Sequence, residues 1–269
     1  MNNKQQQWST LSLERKDRVL TVRFNSGHPV NAFNFEMMQD LLELANSLQS
    51  DCDLAAVVLV GQEKIFSGGM DLGDADRHMV EREGLALWRQ KMQLGPRMCE
   101  AWERLEPLTI VAIEGWCIGA GVALASACDL RVGGDSCNIY VPEVEHGMTM
   151  SWGSVPRLVN LIGPARCKRL ISLAEPMDAQ KALDWGWLDE RCVDGDSVNT
   201  AMKFAERAAA MPTTALRMSK LSINAAAQAL NHSTSYMDTD QLILSQGSVD
   251  FAEAMDAFKE KRTPNYHHK

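Results

Sequence analysis

The stretch Ile110-Val-Ala-Ile-Glu-Gly115-Trp-Cys-Ile-Gly119-Ala-Gly121-Val-Ala-Leu-Ala-Ser-Ala-Cys128-Asp129 decides how this chain reads. An apolar strand signal over residues 110–113 runs into a cluster of small residues and then into a helical pattern. In the first turn of a helix the backbone N–H groups have no acceptor inside the helix and the dipole is positive. Such a turn is a place for a phosphate or a developing oxyanion. Gly119, Ala120 and Gly121 let a ligand come close to that backbone. The same small residues also suit a buried helix packed tightly on a sheet, and the stretch by itself leaves both readings open.

Outward from this stretch, strand signals over residues 11–14, 19–24, 56–60, 109–113, 130–132 and 138–141 alternate with helical stretches from residue 33 onward. That alternation predicts an α/β fold with a mainly parallel sheet and helices outside it. The first helix is expected over 35–48, where Met37, Leu41, Leu44 and Leu48 recur at helical spacing. Residues 74–105 read as one or two helices whose Met79, Trp88, Met92, Met98 and Trp102 serve as core. Beyond residue 175 the chain reads as successive helices. Asp178 caps a helix over 179–185 that Gly186 stops, and further helices are expected over 197–210, 212–230, 236–245 and 247–261. Pro212 suits the first turn of its helix. The expected organisation is an α/β core over 1–200 and a helical region over 201–269, rich enough in apolar residues to pack against a neighbouring subunit.

A chain of 269 residues with 45% apolar content can bury a large core. A net charge of −8 argues against nucleic acid or an anionic membrane as partner. The opening Met1-Asn-Asn-Lys-Gln-Gln-Gln lacks the apolar centre of a signal peptide, and no later run has the length of a membrane span, so a cytoplasmic address is expected. The seven cysteines are odd in number and form no C-x-x-C pair, so they read as reduced core thiols. The six histidines supply no zinc-like spacing, and no metal is expected.

Three segments, taken in order and spacing, resemble the crotonase (enoyl-CoA hydratase/isomerase) superfamily over nearly the whole chain. They are Phe66-Ser-Gly-Gly-Met70-Asp71-Leu72, then Gly115-Trp-Cys-Ile-Gly-Ala120-Gly ending in Cys128-Asp129, then Tyr140-Val-Pro142-Glu143-Val144 with Gly147 following. The resemblance implies a crotonase-like spiral of repeated ββα units, with C-terminal helices that assemble a homotrimer or a dimer of trimers. It also implies an acyl-CoA thioester substrate, so that coenzyme A arrives with the substrate and no separate cofactor is needed. By position, the Met70 and Ala120 N–H groups would form the oxyanion hole and Glu143 the general acid/base. Relatives usually carry glycine where Ala120 stands. His28, Gly68, Asp71 and Leu72 would lie along the CoA. The closing segment Phe258-Lys259-Glu260-Lys261-Arg262 resembles a final helix that often reaches the CoA of a neighbouring subunit, which points to Phe258 and Lys261.

A thioester carbonyl held by two fixed N–H donors becomes an enolate when a proton leaves, and donors that need no reorganisation favour that charge. Typical hydratases of the family carry a second glutamate where this chain has Ala123. One glutamate suits moving a proton between two carbons, so the resemblance favours a 3-enoyl to 2-enoyl isomerase. Hydration remains an alternative, as does a lyase, because Trp116 and Glu143 also resemble hydroxycinnamoyl-CoA hydratase-lyases, whose small serine is absent here. Decarboxylating and ester-hydrolysing relatives use the same hole. Glu145 or His146 could enter the acyl pocket as an auxiliary group. From a different class, a non-catalytic CoA-ester-binding protein of the same fold is also open. A dinucleotide-binding fingerprint fits poorly, since Gly119-Ala-Gly121 lacks the third glycine and Asp135 follows too soon.

Overall fold

The computed structural model describes residues 8–73 and 84–267. The opening segment, His78, Met79 and His268 fall outside these. Strands β1 (Leu11–Lys16) and β2 (Val19–Phe24) form an antiparallel hairpin turning at Asp17, and β2 then pairs in parallel with β3 (Ala56–Val60). The first sheet runs β1-β2-β3-β5-β7-β10, with β5 (Leu108–Ile113), β7 (Leu130–Gly134) and β10 (Glu190–Cys192) all parallel to their neighbours. A second sheet holds β4 (Ile65–Ser67), β6 (Trp116–Ile118) and β8 (Asn138–Tyr140) in parallel, with β9 (Met177–Asp178) antiparallel at its edge. Successive strands therefore alternate between the sheets, β3 to β4, β5 to β6, β7 to β8. Helical segments follow each pair, which makes the expected ββα repeat one of topology rather than of sequence.

Strand β3 is buried at every position because both faces of the first sheet are covered. One face presents Val57, Leu59, Val111 and Ile113 to α1 (Phe35–Leu48) and to the helix carrying Met98 and Trp102. The other presents Ala56, Val58, Ile110 and Ala112 to Ala201, Ala205 and Ala208 of a later helix. Each fully buried valine or leucine contributes about 2 kcal/mol by leaving water. Helix α1 begins where Asn34 accepts from the Met37 N–H at 2.8 Å, and Trp102 ties it to the next layer by donating to the Leu41 carbonyl at 3.1 Å.

Within the expected helical span, the described part forms α2 (Leu85–Met92) and α3 (Leu94–Glu103). The small-residue stretch forms α4 (Ala120–Ala127), buried at all eight positions. Arg131 holds its far end, donating to the carbonyls of Cys128 at 2.8 Å and Trp187 at 2.5 Å, and pairing with Asp189 at 3.0 Å. Asp129 is structural, accepting from the Thr109 N–H at 2.7 Å and pairing with Lys220 at 2.6 Å. Five cysteines are buried and all seven are free, and burial pushes the Cys99 and Cys128 thiols up to about 12.

A long helix that patterning does not flag, α5 (Ser154–Ser172), follows; its periodicity is broken by Gly163 at φ +77 and Pro164. Next come α6 (Ala179–Trp185), capped by Asp178 and stopped by left-handed Gly186 as expected, and α7 (Ser197–Ala209). Helix α7 runs through residues 200 and 201, where the core was expected to end, and its alanines cover the first sheet. The remainder is α8 (Thr213–Ala227), α9 (Asn231–Ser235), α10 (Asp238–Gln246) and α11 (Val249–Glu260). Pro212 is a cap with extended ψ of 120 rather than a first-turn residue, because it precedes the first helical position. Among the described residues no helix is long and apolar enough to cross a membrane.

Candidate active site

The three parallel strands of the second sheet end together, and each delivers one part of the site. Ser67 of β4 lies opposite Cys117 of β6, which lies opposite Ile139 of β8. A few residues on, the chains reach Met70, Ala120 and Glu143 at the same carboxyl edge, where open parallel sheets bind ligands. Gly69, at φ +94, and Gly119, at φ +46, turn the first two chains in backbone conformations that disfavour side chains. The two turns run side by side, since a Cβ on Gly69 would stand 3.4 Å from the Ile118 carbonyl oxygen.

The backbone of the first turn is tied to residues 30–33. Gly68 donates to Val30 at 2.7 Å, Phe33 donates to Gly69 at 2.7 Å, and Asp71 donates to Phe33 at 2.9 Å. Among the described residues, that pattern gives the Met70 N–H no acceptor. In the second turn Gly119 donates to Tyr140 at 2.9 Å, and Ala120 opens α4, so its N–H has no acceptor inside the helix. Alanine in place of glycine at 120 therefore keeps the donor.

Glu143 opens a 3-10 turn (Glu143–His146) closed by left-handed Gly147. Its Oε2 is buried and has no hydrogen-bond partner. Burial pushes the carboxyl up to about 7, opposed only by the pull of its own backbone N–H. Helix α11 packs on this turn so closely that a Cβ on Gly147 would meet the Phe251 Cα at 2.8 Å.

Two cavities meet at Glu143. The inner one, about 70 Å³, is walled mainly by apolar side chains, Ala123 among them, and Ala123 is itself only 1% exposed. Glu143 is the one ionisable side chain lining it among the described residues. The outer cleft takes in His28, Gly68, Asp71, Leu72, His146 and Phe258, and shares Met70, Leu72, Glu143 and Met148 with the inner cavity.

Most of the residues singled out by sequence thus meet at one place, with three differences. Lys261 is the exposed left-handed residue ending α11 and lines neither cavity. Phe258 faces this chain's own cleft, because α11 folds back over the 3-10 turn of the same chain. Glu145 and His146 line the outer cleft and not the inner cavity. The Glu145 carboxylate accepts from the Tyr140 hydroxyl and its carbonyl from the Tyr266 hydroxyl. His146 stands edge-on to Phe258 at 5.6 Å, and burial lowers its pKa, which favours the neutral ring.

Sequence reasoning missed the inner walls Met148, Trp152, Leu242 and Gln246. Leu242 and Gln246 sit four apart on α10, a spacing that signals one helical face but not what that face meets. Among the described residues no three His, Cys, Asp or Glu side chains converge on a metal position.

The family model for enoyl-CoA hydratase/isomerase matches residues 14–269. A short-chain-enoyl-CoA hydratase of Clostridium acetobutylicum is 29% identical over 251 residues, covering 93% of this chain and 94% of that relative. A 2,3-dehydroadipyl-CoA hydratase of Escherichia coli is 26% identical over 268 residues, covering 96% and 98%. The crystal structure of an enoyl-CoA hydratase/isomerase from Pseudoalteromonas atlantica superposes with a TM-score of 0.86 at 25% identity, covering 96% of this chain and all of that one (100%). Given a match across nearly its full length and the same ββα architecture, the chain belongs to the enoyl-CoA hydratase/isomerase family of the crotonase superfamily.

Proposed function

We propose that this protein is an acyl-CoA enzyme that moves a double bond, converting a 3-enoyl thioester to its 2-enoyl isomer with one glutamate. The observation that carries this reading is the Glu143 carboxyl, whose buried Oε2 has no hydrogen-bond partner, in an inner cavity with no second ionisable side chain among the described residues. In this reading the thioester carbonyl accepts from the Met70 and Ala120 N–H groups. Glu143 takes the proton from C2, the two donors hold the dienolate oxygen, and the protonated Glu143 returns the proton at C4. The carbon–carbon double bond shifts from C3–C4 to C2–C3, and no atom is gained or lost. A carboxyl raised to about 7 is matched to giving and taking the same proton near neutral pH. Each fixed donor is worth roughly a hundredfold in rate.

The CoA part is assigned to the outer cleft, with His28 and the backbone from Gly68 to Leu72 along it and Phe258 over it. No further cofactor or metal is required by this chemistry. We assign Lys261, which lines neither cavity of its own chain, to the CoA of a neighbouring copy, and the exposed Met218, Ile223, Leu230 and Leu244 to a trimer or dimer-of-trimers contact.

Hydration is the second reading. It is favoured by the names of the relatives and by Thr149, Ser151 and Gln246, polar side chains in the inner cavity that can hold a water. Incubating the protein with a 3-enoyl-CoA and following the absorbance of the conjugated 2-enoyl ester separates them. Isomerisation lost in Glu143→Gln supports the first reading, and a 2-enoyl-CoA consumed to a hydroxyacyl ester supports the second.

A further inference from the structure

We infer that Trp152 is a specificity-determining wall that confines the acyl group to a short aliphatic chain. The inference rests on the inner cavity being the acyl site. Trp152 is 8% exposed and lines that cavity beside Ala123 and Glu143. Its backbone has φ +62, a left-handed conformation that a bulky side chain adopts only when its surroundings impose it. The surroundings are explicit. The Trp152 carbonyl accepts from buried Arg157 at 2.7 Å, and Arg157 is itself paired to Glu103 at 2.7 Å. The next N–H, that of Gly153, donates to Asp238 at 2.6 Å. Asp238 opens α10, the helix that also sends Leu242 and Gln246 into the cavity. The turn that carries the indole is therefore held from two sides, by buried Arg157 and by half-buried Asp238.

The ring is packed on two sides. It lies against Gly95 of α3, where an added Cβ would stand 2.1 Å from its Cε2, and it meets Phe33 edge-on at 6.2 Å. The neighbouring Met92, Met148 and Met150 are unbranched and adapt their shape, so the indole is the stiff part of the wall. Magnitude decides the ligand class. A dry cavity of about 150 Å³ takes one benzene ring, so the space of about 70 Å³ between the described residues here favours a short unbranched chain over an aryl or long acyl group. A glycine at 152 would satisfy the same backbone without strain, which makes the ring the reason for the residue.

The test is equilibrium binding of acetyl-, butyryl-, octanoyl- and dodecanoyl-CoA, measured by calorimetry on the parent, Trp152→Gly and Trp152→Phe. In the parent, affinity is expected to peak at butyryl-CoA and to fall about tenfold or more at octanoyl-CoA, where added methylenes find no room. In Trp152→Gly the peak moves to octanoyl- or dodecanoyl-CoA, and Trp152→Phe lies between. An unchanged chain-length profile in folded Trp152→Gly overturns the inference, as does a parent that binds the butyryl and octanoyl esters equally or binds none of the four. Should Trp152→Gly not fold, Trp152→Phe decides by the same two outcomes. These saturated esters have no double bond to move. Loss of the isomerase reading therefore leaves the result standing, and an unchanged or flat chain-length profile leaves isomerisation untouched; a parent that binds none of the four counts against both.

Discussion

Gly119 and Glu143 occupy each other's space: a Cβ on Gly119 would stand 2.6 Å from the Glu143 Oε1. One glycine thus serves the backbone and the acid together. Its φ of +46 aims the chain into α4, leaving the Ala120 N–H at the helix start, and its missing side chain leaves room for the carboxyl. Gly119→Ala is expected to keep the fold by circular dichroism and to lower kcat by roughly a hundredfold or more, because it displaces donor and acid at once. Near-parental kcat would show that the two are not coupled.

The raised pKa of Glu143 has a sign for stability as well as for rate. A carboxyl held at about 7 in the folded state binds a proton that the unfolded chain has released by then, so stability falls as pH rises from about 4.5 to about 7. Glu143→Gln removes that burden and should stabilise the protein at pH 8 by at most about 3 kcal/mol, measured by urea unfolding, with no gain at pH 4. In the parent, kcat/KM should rise with pH through about 7, as a base in the free enzyme demands. A flat profile between pH 6 and 8 would remove Glu143 from that role.

Ala123 lines the inner cavity together with Glu143, so a second carboxyl there would face the first. Ala123→Glu is expected to lower isomerisation and raise hydration of a 2-enoyl-CoA, shifting their ratio by about tenfold or more as paired acids come to hold a water. An unchanged ratio in the folded variant would mean that the second acid does not select the reaction.

Arg131 supports the site from below, since it holds the carbonyls at the end of α4 and pairs with Asp189. Arg131→Leu leaves those acceptors buried and should destabilise the fold by about 3 kcal/mol in urea titration. A loss under 1 kcal/mol would show that α4 is anchored elsewhere.

The legible parts of the chain are those where local pattern and burial agree. The strand over 19–24 and the helix over 35–48 were found at their observed bounds, because the alternation of Leu20, Val22 and Phe24 and the helical spacing of Met37, Leu41, Leu44 and Leu48 mark the residues that enter the main core. Strands β4 and β6 are three residues each, too short for any period to show, yet they place Met70 beside Ala120. Helix α5 was hidden by Gly163 and Pro164. The donor and acid positions were named from the resemblance of three short motifs to the family, not from the strands that carry them. The inner wall was not, since Trp152, Leu242 and Gln246 reach it through packing between elements far apart in sequence.

The most direct measurement is the isotopic fate of a 3-enoyl-CoA turned over in deuterated, heavy-oxygen water by the parent and by Glu143→Gln. The account predicts a 2-enoyl-CoA that carries deuterium at C4 at most and no heavy oxygen, with turnover in the variant reduced about a hundredfold or more. A principal product that is a 3-hydroxyacyl-CoA bearing heavy oxygen, or undiminished turnover by the variant, would contradict it.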